Sequence, residues 1–186
     1  TIFANMLNQV NLKPAFALSI LITILAALIS AGGLFIDNLY QDNDFVKLAW
    51  FTNDLITLMV VVPLLTASLW FVNKGSLHWQ LVWMGLLGYM AYNFAFYLFG
   101  AAFNIFFIGY AALFSASVSA LILGLSQLDI SGMSQRFSPG TPVKWISIYI
   151  LLVGVMLLMV EMGMISNYLL TGILPETIIQ TGKSSS

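Results

Sequence analysis

Apolar residues run along this chain in five long blocks separated by short polar stretches. The blocks cover roughly residues 14–36, 49–72, 78–99, 104–125 and 145–170. Crossing a bilayer takes about 20 helical residues, and each block is long enough. In lipid the backbone must satisfy its own polar groups, so the blocks are expected to be helices. The short alternating segments of a β-barrel do not occur. The expected fold is therefore all-α: a polytopic integral membrane protein, one domain over residues 1–186, built as a bundle of five transmembrane helices.

The connections refine this picture. Pro14 opens the first block, a favourable first-turn position. Before it, Ile2, Phe3, Met6, Leu7 and Val10 recur at helical spacing, as in an interfacial helix. The stretch "GAAFN" between the third and fourth blocks is so short that these two must form an antiparallel hairpin. The link "SQLDISGMSQRFSPGTPVK" is long and polar. The tail "ILPETIIQTGKSSS" reads as loosely ordered. Trp50, Trp70, Trp79, Trp83 and Trp145 stand near block ends, where indole rings are expected at headgroup level.

Two blocks carry packing signals. In the fourth, Ala112, Ala116, Ala120 and Gly124 recur every four residues, with Ala111, Ser115 and Ser119 beside them. Small residues let helices approach closely in lipid, either within the bundle or against another membrane subunit. In the second, Pro63 removes the backbone bond to the Met59 carbonyl, so a kink is expected there.

Composition supports the membrane reading. The chain is 60% hydrophobic and 7% charged, against about 25% charged in soluble domains. A net charge of −1 gives no basic field to attract nucleic acid. With no cysteine, disulfides and thiolate metal sites are excluded. His78 is the single histidine, which rules out bis-histidine haem ligation by this chain alone. Met156, Met159, Met162 and Met164 read as packing residues rather than a copper site. Neither a cofactor nor a metal is expected.

Lys13, Lys74, Arg136 and Lys144 fall on one side, and Lys47 and Lys183 on the other. The positive-inside rule then puts the amino terminus in the cytoplasm and the carboxyl terminus outside, in a plasma or bacterial inner membrane. The loop with Asp37, Asp42 and Asp44 becomes external.

Two ionisable residues lie inside the blocks, Asp54 and Glu161. From the block boundaries, Asp54 stands about 5 Å and Glu161 about 10 Å below the outer end. At that depth Asp54 reaches hydrated headgroups, whereas Glu161 must face protein or water. Tyr89, Asn93 and Tyr97 form a stripe on the third block, and Asn104 opens the fourth. Strong polar groups thus gather in the external half. The leading expectation is a small membrane protein with an externally open polar pocket lined by Asp54, Asn93, Tyr97, Asn104 and Glu161, binding or transporting a small ligand or a proton. The alternative is a non-catalytic accessory subunit of a larger membrane complex, joined through the fourth block. No acid–base–nucleophile set is evident, so an enzyme is not the expected class.

Overall fold

Helices begin where the sequence supplies a cap or a proline. The computed structural model describes residues 12–128 and 142–172. Helix α1, Lys13–Phe35, has Pro14 in its first turn and closes with the Ile36 amide on the Gly32 carbonyl. Helix α2, Asp44–Ile56, starts where Asn43 Oδ1 accepts the Val46 amide at 3.0 Å. Asp44 in that first turn suits the positive end of the helix dipole. A π-helical turn, Thr57–Val61, leads directly into α3, Val62–Asn73. Helix α4 is Leu77–Gly100, α5 is Phe107–Ser126 and α6 is Val143–Thr171. Helix α6 ends at Gly172, whose φ of 68° is the left-handed cap that glycine tolerates.

All of these elements are helical, and among the described residues there is no strand. Among the described residues five helices, counting α2 through α3 as one, are long and apolar enough to cross a membrane. The helical spacing of residues 2–10, most of the long polar link with Arg136, and the tail with Lys183 lie outside the described residues. Residues 12–128 belong to one compact unit and 142–172 to another.

In the first unit four spans close a ring. Helix α1 packs on α5 and on the second span, and α4 packs on α5 and α3. Each span turns one row of residues inward at three- and four-residue steps, which alternate except for two successive four-residue steps across the π turn of the second span. On α1 the row runs Ala15, Ser19, Ile22, Ala26, Ile29 and Gly33. On the second span it runs Trp50, Asp54, Thr57, Val61, Leu65, Ser68 and Val72. That period is the seam of left-handed helical bundles. The π turn falls midway along the second row and immediately before Pro63, whose missing N–H removes a regular helical bond at that level.

The tryptophans divide. Trp70 and Trp145 are exposed, and Trp79 stacks on Phe71 at 4.8 Å, but Trp83 is fully buried and Trp50 nearly so. Trp83 is therefore a core residue rather than a headgroup anchor. Its indole N–H donates to Ser19 Oγ at 2.9 Å, bridging α4 and α1. The small-residue rows of α5 also divide. Ala120 and Gly124 are buried, Ala111 and Ala116 half-buried, and Ala112, Ser115 and Ser119 exposed. Among the described residues the second unit contributes helix α6, none of whose residues is buried.

Candidate functional site

The site is built around Asp54. Because α2 begins at Asp44, this carboxylate stands ten residues into its span, about 15 Å along the axis. The side chain does not reach outward as a headgroup-facing acid would: Asp54 is enclosed by protein and 1% exposed. It sits on the inward row, one turn above the π segment.

Three helices and a loop supply its surroundings. From the loop at 36–43, the Tyr40 hydroxyl donates to Asp54 Oδ2. From α4, the Tyr97 hydroxyl lies 3.0 Å from Asp54 Oδ1 and 3.1 Å from the Trp50 carbonyl. One phenol proton is thus shared between two acceptors. From α1, Gly33 brings bare backbone against the acid: a Cβ there would fall 1.8 Å from Oδ2 and 2.6 Å from the Tyr40 oxygen. No Lys, Arg or His among the described residues pairs with Asp54; the ion pair found among them joins Lys47 to Asp44 at 3.6 Å.

Aromatic rings close over the carboxylate. Trp50 and Tyr97 lie 4.7 Å apart and Tyr97 and Tyr110 5.0 Å apart, centroid to centroid. Tyr40 flanks both Trp50 and Tyr97 at 6.4 Å. The Tyr110 hydroxyl is buried beside Asn104 and Tyr40 without closing a hydrogen bond, and the Ser30 hydroxyl is buried beside Asp54 in the same condition. Removal from water, reinforced by Tyr97 and Asp54, pushes the Tyr40 phenol well above its ordinary value, so it stays a neutral donor.

The loop that carries Tyr40 is pinned by a second acid. Asp42 accepts the Trp50 indole N–H at 3.1 Å and the Ala102 amide at 3.1 Å. It joins the first loop to the α4–α5 connection. Asn38, at φ 56°, turns the chain so that Leu39 and Tyr40 fold inward.

The expected site residues are placed unequally. Asp54 and Tyr97 come together. Asn93 is buried one turn along α4 from Tyr97, with its amide 3.5 Å from Thr57 Oγ1. Asn104 precedes α5, where its Oδ1 accepts the Phe106 amide at 2.9 Å. Glu161 is exposed on α6, in the other unit. Sequence reasoning missed Tyr40 and Gly33. The signal for Tyr40 was the apolar pair Leu39–Tyr40 inside an otherwise polar loop.

Among the described residues, no group of three or more His, Cys, Asp and Glu side chains gathers to hold a metal. What the cluster can do is hold and pass a proton. A phenol accepts a proton on its oxygen while releasing its own, so Tyr40 can hand one to Asp54 Oδ2 without moving. No family model, no curated protein and no solved structure matches this chain.

Proposed function

We propose that this chain is a small polytopic membrane protein that binds a proton at Asp54, reached from the outer side through the loop that carries Tyr40. The observation that carries this reading is a fully buried carboxylate held by two phenols with no basic partner among the described residues. A carboxyl group without a counter-charge inside a membrane bundle marks a functional site by default. The closed ring packing leaves a proton as the best fit, since a larger ligand would have to separate Trp50, Tyr97 and Tyr110. In this reading Asp54 takes the proton, Tyr40 relays it and Tyr97 fixes the carboxyl orientation. In proteoliposomes holding a trapped pH indicator, wild type should take up protons and Tyr40→Phe should do so more slowly. Equal uptake by the two would remove Tyr40 from the path.

A second reading is an accessory subunit of a larger complex. It draws on α6, which carries Glu161 and buries no residue, and on the exposed Ala112, Ser115 and Ser119 of α5. An intramembrane glutamate facing hydrocarbon is costly, and a partner chain would relieve that cost. Mass measurement after gentle detergent extraction decides: a lone chain contradicts this reading, and a defined heteromer supports it.

A further inference from the structure

We propose that the end of the first unit opposite Asp54 holds one acyl chain of an anionic lipid. A groove of about 310 Å³ opens there between the first turns of α1, the end of α3 and the start of α4. That volume is at the small end of ligand sites, which run from about 300 Å³ upward. Its walls are Leu12, Phe16, Ala17, Ile20, Val72 and Trp83. Trp83 is fixed at the base, its N–H committed to Ser19 and its ring edge-on to Phe16 at 6.2 Å. The base is therefore preformed and offers hydrocarbon rather than a hydrogen-bond donor.

The rim gives the headgroup its sign. Among the described residues, Lys13 and Asn73 are the polar ones lining the groove. The neighbouring Lys74 is already engaged over the Trp70 ring at 4.7 Å. Within the described part of this unit, all four acids, Asp37, Asp42, Asp44 and Asp54, lie in the first loop or the α2 helix that follows it. An apolar slot with an ammonium at its mouth, and with no acid lining it among the described residues, matches an acyl chain ending in a phosphodiester. Ala17 and Ile20 are exposed along the groove, so a chain can enter from the side.

The test is native mass spectrometry of the full chain, released from bilayers of equal phosphatidylglycerol and phosphatidylcholine. The proposal expects one retained phosphatidylglycerol per chain. Lys13→Gln should cut the preference for the anionic lipid about fivefold. Ala17→Trp, which fills the groove from an exposed position, should abolish retention while the helical circular dichroism is unchanged. Equal retention of the two lipids by wild type overturns the proposal. So does undiminished retention in Ala17→Trp, or a second copy of the chain in place of lipid.

Discussion

The Tyr97 hydroxyl stands 3.0 Å from Asp54 Oδ1 and ties the end of α4 to the middle of the second span. This contact joins elements more than forty positions apart in sequence, |i−j| being 43. Removing it with Tyr97→Phe keeps the ring and withdraws one donor from a buried carboxylate. The expected loss is about 1–3 kcal/mol, the cost of an unmet buried polar group. Chemical unfolding in detergent measures it. Combining Tyr97→Phe with Asp54→Asn should show a coupling of at least about 0.5 kcal/mol.

Gly33 and Gly85 should answer alanine in opposite directions. A Cβ at Gly33 meets the Asp54 carboxylate and the Tyr40 hydroxyl, so α1 must move or the acid must turn away. Gly33→Ala should destabilise by about 1–3 kcal/mol. Gly85 has nothing within 4 Å of its Cβ position. Gly85→Ala should be neutral or stabilising by up to about 1 kcal/mol, since alanine costs less backbone entropy in a helix. The two thermal midpoints check this pair.

Asp42 acts as the latch of the Tyr40 loop. Asp42→Ala strands the Trp50 indole N–H and the Ala102 amide together. Hydrogen exchange at the Ala102 amide should rise, and Trp50 fluorescence should shift to the red as water enters. If both stay at wild-type values, the latch is not what holds the loop.

Alkaline pH tests the burial of Tyr40. Its ordinary value is 10.0, and burial followed by the neighbouring Tyr97 and Asp54 raises it in the folded chain. Below pH 10 the folded and unfolded chains both keep this proton, so its contribution to stability is fully present. Above that pH the unfolded chain releases the proton while the folded chain retains it, and stability falls as pH rises. Phenolate absorbance of the folded wild type and of Tyr40→Phe should therefore coincide as pH passes through 10. A wild-type excess of one phenolate there would mean that Tyr40 is open to water.

The spans were legible in the sequence because lipid demands long apolar helices. The expected block at 14–36 became Lys13–Phe35, and 145–170 became Val143–Thr171. The second span was misjudged at its start: the polar run at Asp42, Asn43 and Asp44 reads as loop, yet Asn43 caps a helix and Asp44 favours its first turn. That five-residue difference, from 49 to 44, is why Asp54 stands ten residues into its helix rather than five. Asn104 moved the other way, into the connection before Phe107, because its side chain caps the following turn. Helix rotation was the missing quantity for the site. Depth alone could not say that Tyr97 meets Asp54 while Asn93 meets Thr57. Nor could it reveal Tyr40, whose place depends on a loop folding back over the bundle.

The proposed function requires Asp54 to take up and release a proton within the bilayer. Infrared difference spectroscopy of the reconstituted protein, stepped in pH, reads the carboxylic C=O stretch directly. The expected result is a band that titrates with pH, vanishes in Asp54→Asn and is altered in Tyr40→Phe. An identical titrating band in Asp54→Asn, or an Asp54 signal indifferent to pH, would contradict it.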